Sequence, residues 1–115
     1  MMSSNRYQAI LEHQCAMNKV TWEKLLAAGL TSDTEVRLDF FYVAPNDTAA
    51  TALKALLEDQ TDYDVVTKSA NDTWLVTGTT QPTSISPQIL DQWVDWMITA
   101  GLEHECEFDG WGTEV

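Results

Sequence analysis

The chain is short of cations. Six Lys and Arg residues (Arg6, Lys19, Lys24, Arg37, Lys54 and Lys68) stand against eighteen Asp and Glu, giving a net charge of −12 over 115 residues. No Lys or Arg follows Lys68, whereas Asp72, Asp91, Asp95, Glu103, Glu105, Glu107, Asp109 and Glu114 all do. A surface of that sign repels phosphate backbones and anionic lipid, so direct binding to nucleic acid or to a membrane is not expected. A basic segment of another protein is the natural attractive partner, and solubility alone is the plainer explanation of the same charge. Also missing is any run of eighteen apolar residues, which argues against a transmembrane helix. The stretch Met1 to Arg6 has no apolar region after its positive charge, so no secretory signal is expected. Cysteine is down to Cys15 and Cys106, far apart and without Cys-x-x-Cys spacing. Two reduced thiols in a cytoplasmic protein are the expectation, with a disulfide between them as the alternative.

The usual catalytic patterns are absent too. There is no Gly-x-Ser-x-Gly, no Gly-x-Gly-x-x-Gly and no phosphate-cradling loop. Arg37, the one arginine beyond the leading segment, has no such loop beside it. His13 and His104, with the two cysteines, are too scattered to converge on zinc, and the carboxylates lack the spacing and central glycine of a calcium loop. His104 falls on the apolar side of its segment and reads as a buried, satisfied side chain. Cys106 reads as an inert buried thiol. Phe41 and Trp74 could stack RNA bases from a sheet face, but the charge has the wrong sign. No enzyme activity, metal or cofactor is expected.

What the sequence does hold is folded and periodic. Hydrophobic residues make up 44% of it, five of them Trp, enough for the core of one domain spanning 1–115. From Arg6 to Ala28 no Pro or Gly interrupts, and Leu11, Cys15, Trp22, Leu25 and Leu26 mark one face of a leading helix over 6–28, stopped by Gly29. From Thr34 to Ala44 the period changes to two, with Val36, Leu38, Phe40 and Tyr42 on one face of a strand that Pro45 ends. Asn46 or Asp47 caps a helix with Ala49, Ala50, Leu53, Leu56 and Leu57 on its apolar side, and Thr61-Asp62 breaks it. Residues 63–68 and 72–80 read as a hairpin around Ser69-Ala70-Asn71-Asp72. Gln81 to Ile85 is a loop. Ser86-Pro87 opens a third helix with Leu90, Trp93, Val94, Met97 and Ile98 inward, and Gly101 is its stop signal.

Leu102 to Phe108 then alternates more cleanly than any other stretch, placing Leu102, His104, Cys106 and Phe108 on one face of a last strand and Glu103, Glu105, Glu107 and Asp109 on the other. The order after the leading helix is β-α-β-β-α-β over 34–113. It predicts an α+β, ferredoxin-like fold, with the first and third strands of a four-stranded antiparallel sheet central and the last at an edge.

On such a strand the four carboxylates stand about 7 Å apart. They are either a rail for Arg or Lys of a partner or a guard against unwanted edge pairing. Beyond them Asp109-Gly110 reads as a turn, and Gly112 loosens the backbone again on the far side of Trp111. Trp111 is either a partner's anchor or a plug for the protein's own core, and large aromatics more often bury at home. Short of a protein partner, a ligand-binding module with a pocket near Trp111 or on the sheet is the other reading.

Phe108-Asp109-Gly110-Trp111-Gly112-Thr113 resembles the segment that closes the domain in the B-type regulators of ribonuclease E activity, the RraB family. The rest of the chain is similar in plan rather than in residues. The resemblance implies a cytoplasmic bacterial protein that binds ribonuclease E at its Arg-rich non-catalytic region and inhibits RNA processing, without catalysis or cofactor. Members often continue past the motif into an acidic tail, whereas here Glu114 and Val115 follow it.

Overall fold

The computed structural model describes residues 4–31 and 34–113; the Met1–Ser3 end of the leader reading and Glu114 lie outside them. Among the described residues three helices and two antiparallel sheets make up the fold. Helix α1 (Ser4–Ala27) leads, followed by a short strand β1 (Glu35–Val36) and a longer one, β2 (Asp39–Ala44). Next come α2 (Asp47–Gln60), the hairpin β3 (Asp64–Ala70) and β4 (Thr73–Thr79), a short β5 (Thr83–Ser84), α3 (Pro87–Leu102) and β6 (Glu107–Gly112). The main sheet runs β3-β4-β2-β6, all antiparallel, with β2 and β4 central and β6 at an edge. This is the expected ferredoxin-like α+β arrangement with an added N-terminal helix. Among the described residues no helix is long and apolar enough to cross a membrane.

Local chemistry accounts for the helix ends. Asn46 caps α2 by accepting the Ala49 N–H at 2.9 Å, and Ser86 caps α3 by accepting that of Ile89, with Pro87 in the first turn. Helices α2 and α3 cover one face of the sheet. Under them Phe40, Tyr42, Leu53, Leu57, Val94, Met97, Ile98 and Phe108 are buried, and the Tyr42 hydroxyl donates to the Met97 carbonyl at 2.6 Å. A second cluster of Leu25, Leu30, Val36, Leu38, Ile85 and Leu90 sits at one end.

Four expectations need correction. The strand read over 34–44 breaks at Arg37–Leu38. The Leu38 N–H turns to the Thr80 hydroxyl and its carbonyl accepts the Thr80 N–H, so β1 leaves the main sheet and pairs with β5. That pairing puts a strand inside the stretch read as a loop. Gly101 does not stop α3 but lies within its last turn. A Cβ there would stand 2.5 Å from the Tyr42 ring and 2.9 Å from the Cys106 carbonyl, so glycine is needed for close packing.

The fourth correction concerns 102–106, which is not strand. Leu102 ends α3 and residues 103–105 turn. The Glu105 N–H bonds the Leu102 carbonyl at 3.2 Å and the Cys106 N–H reaches back to that of Gly101 at 2.8 Å. Glu105, with φ 62°, takes the left-handed position that closes such a helix end. Burial still alternates from Leu102 to Phe108, because the turn happens to present every second side chain inward.

Candidate functional site

Strand β6 carries the motif and does not run straight. Tyr42 of β2 faces Phe108 while Phe41 faces Gly110, so Asp109 is an extra residue in β6, a β-bulge. The expected turn at Asp109-Gly110 is therefore a bulge within a strand that continues to Gly112. Its effect is on direction. In a regular strand with Phe108 inward, Gly110 would also face inward and Trp111 outward. The bulge reverses that alternation, and Gly110 takes the φ of 152° that it requires.

Trp111 consequently lies opposite Phe40 on the helix-covered face, half-buried between the two core clusters. Its ring meets Trp93 edge-on at 6.3 Å. Its indole N–H donates to the Asn18 amide oxygen at 2.6 Å, and the Asn18 amide nitrogen donates to Asp91 at 2.9 Å. Gln14 donates to the carbonyl of the bulged Asp109 at 3.4 Å. Gln14 and Asn18 are thus the buried polar members of the inward stripe of α1, while Leu26, read as inward, is 48% exposed. Sequence periodicity passed over both because it counts apolar residues only. Their one signal is spacing: Leu11, Gln14, Asn18 and Leu25 continue a three-and-four rhythm.

The acids divide. Glu105, Glu107 and Asp109 line one open depression of about 290 Å³ together with Val43, Ala44, Pro45, Thr73 and Arg6. Glu103 stands apart from that group, beside Leu56, Gln60, Trp96 and Thr99 between α2 and α3. Only Glu107 and Asp109 lie on the strand; Glu103 and Glu105 belong to the turn before it. Arg6 already pairs with Glu107 at 2.6 Å, both side chains about half exposed at 52%. A pair so solvated contributes about 0–1 kcal/mol. Its value is as a demonstration that this depression accepts a guanidinium.

Burial and hydrogen bonding account for the shifted thiols and phenols. Burial pushes the Cys106 thiol up to about 11, with the Glu105 charge adding to it. Burial, then Asp91, raises Cys15, and both cysteines are free. Tyr42 is raised by burial. Tyr7 is raised chiefly by its hydrogen bond to Asp95. His104 is half-buried within the turn and His13 is exposed. Among the described residues no three His, Cys, Asp or Glu side chains converge as a metal would require. A hollow of about 270 Å³, lined by apolar Leu38, Ile85, Ile89 and Trp93 and by polar Asp62, Thr80, Gln81 and Thr83, falls just under the common size range for small-molecule sites.

A family model described as regulator of ribonuclease activity B, RraB, matches residues 16–113. No curated protein matches the chain. The match takes in α1 from Ala16, the whole ferredoxin-like unit and the bulged motif strand.

Proposed function

The chain belongs to the RraB family of regulators of ribonuclease activity, and from that premise we propose that it is a cytoplasmic inhibitor that binds ribonuclease E. It docks on an Arg-rich segment of the enzyme's non-catalytic region through Glu105, Glu107 and Asp109 and performs no chemistry of its own. The observation that carries this reading is the gathering of three carboxylates around one open depression, on a protein of net charge −12. Opposite charge at that scale steers a basic segment toward the site and fixes its register. The Arg6–Glu107 pair is displaced when a partner arginine takes its place, at little cost because the pair is solvated.

Affinity capture with the Arg-rich segment of ribonuclease E, at low and at high salt, tests this. Binding is expected at low salt and lost at high salt, since exposed charges are screened within about 10 Å at 0.1 M. The triple reversal Glu105→Lys, Glu107→Lys, Asp109→Lys should abolish capture, while Glu103→Lys, on another side of the molecule, should retain it. A triple variant that melts normally and is captured as before sinks the proposal.

A further inference from the structure

The main sheet has a second face that no described element covers. The register fixes its composition. Val66, Thr77, Phe41 and Gly110 cross it in the middle row, with Lys68, Leu75, Val43 and Glu107 on one side and Asp64, Thr79, Asp39 and Gly112 on the other. Phe41, on the central strand β2, is 43% exposed and Val66, on the edge strand β3, is 60% exposed, so the middle row leaves two large apolar side chains open to solvent. Trp74, read as a possible stacking residue, is not among them, since it pairs with Ala44 and faces the helices.

On the β6 side of this face Phe41 has Gly110 and Gly112 as neighbours, with Glu107 and the bulged Asp109 toward the depression. Gly110 needs glycine for its backbone angle, but Gly112 does not. Its φ is ordinary, and a Cβ added there would meet nothing within 4 Å. Glycine in a strand is less favourable than alanine, and its recurrent use is to let something approach the backbone closely. Nothing inside the described fold makes that approach at Gly112.

We infer that this open face is a second contact surface, a shelf that takes a partner segment in which arginines are interleaved with apolar side chains. It rests on the reading of a basic protein partner given above and extends the acidic depression, which shares Val43 and Glu107 with the shelf. Charge selects the occupant. Asp39, Asp64 and Glu107 face it with Lys68, while Arg6 pairs with Glu107 and Arg37 stands beside Asp39 at the margin. The attraction for a cation therefore comes from the net charge of −12 together with the Asp39 and Asp64 carboxylates. Asp39 stands two residues from Phe41 along β2, about 7 Å away. An arginine laid over the Phe41 ring gains the attraction of a cation for a π face and still presents N–H groups to the Asp39 carboxylate. Gly110 and Gly112 leave room for the chain that carries it. Apolar neighbours of that arginine cover Val66 and Leu75. A second copy of this chain is a poor occupant, because two bodies of −12 each repel.

Two synthetic peptides of equal charge, one of arginine alternating with leucine and one of arginine alternating with serine, separate the shelf from the depression. Fluorescence anisotropy with the full chain should show the leucine peptide binding about tenfold tighter than the serine peptide, the size expected for one well-seated apolar contact. Gly112→Leu fills the shelf without straining the backbone, so it should melt like the parent and bring that ratio to about one. Phe41→Ser should do the same. A ratio near one in the parent, or a tenfold ratio that survives Gly112→Leu, overturns the shelf. Concentration-dependent dimerisation removed by Gly112→Leu also overturns it, in favour of a second copy. If neither peptide binds the parent, the basic-partner reading falls with it. If the Glu105, Glu107 and Asp109 reversal removes both peptides while Gly112→Leu changes neither, that reading stands and only the shelf fails.

Discussion

Glu105 allows stability and binding to be pulled apart with one substitution. It holds a left-handed backbone, φ 62°, at the position that closes α3, where a residue with a Cβ pays about 1–2 kcal/mol. Glycine removes that penalty but has more freedom to lose on folding, about 0.5–1 kcal/mol. Glu105→Gly should therefore stabilise the protein by about 0.5–1 kcal/mol, because the two helix-closing hydrogen bonds to Gly101 and Leu102 are made by backbone and remain. For a chain of this size that is a rise in Tm of roughly 2–4 °C. The same change removes one of the three carboxylates around the depression, which should weaken binding of a basic segment roughly two- to threefold at low salt. Calorimetry and anisotropy on one preparation measure both. Glu105→Ala is the control, since it loses the charge and keeps the strained angle; it should bind as weakly as the glycine variant with no gain in Tm. A glycine variant that melts lower than the parent, or an alanine variant that gains as much, refutes the reasoning.

Gly101→Ala sets helix propensity against space. Alanine is favoured by about 1 kcal/mol inside a helix, but its methyl would stand 2.5 Å from the Tyr42 ring; overpacking costs about 1–3 kcal/mol, so a net loss is expected as a lower denaturation midpoint. Trp111→Phe keeps an aromatic plug but leaves the buried Asn18 oxygen without its donor; urea titration should show a loss of about 1–3 kcal/mol. Because the Cys106 thiol is raised in the folded protein from its ordinary 9.0 to about 11, the native state holds that proton more tightly than the unfolded chain. Stability from this source is complete below about pH 9 and declines as pH rises toward 11, so melting curves taken across that window should fall, and those of Cys106→Ala should fall less.

Much of this molecule can be read from residue order because period and caps agree. Asn46, Ser86-Pro87 and the Asn71-Asp72 turn each sit where backbone chemistry demands them, and the β-α-β-β-α-β order leaves few ways to close a sheet. The two misread strands share one physical cause. Alternating hydrophobicity implies a strand, yet Val36 to Tyr42 alternates across a break between two sheets, and Leu102 to Phe108 alternates across a helix end and a turn. Period-two burial records which side chains face inward, and more than one backbone path can deliver it. The three acids of the depression were visible by type, but the separation of Glu103 was not, since it depends on the left-handed angle at Glu105. The open face was invisible for a related reason. Its composition is set by cross-strand register, and the one mark of the bulge that fixes the register of β6 is Gly110, a residue that a turn or a close backbone approach would explain as well.

That bulge makes the chain sensitive to number where one would expect sensitivity to residue type. Between Phe108 and Trp111 stand two residues, and the indole points inward only because one of them is bulged. Removing that residue would restore regular alternation with the ring still opposite Phe40, whereas pairing all four in step would turn the ring onto the open face, opposite Asp39. Helix α1 acts as a gauge of that count. Gln14 meets the carbonyl of the supernumerary residue, and Asn18 meets the indole that this residue has turned inward. A β6 paired one place out of step offers neither group, so the leading helix seats fully only on a correctly counted edge.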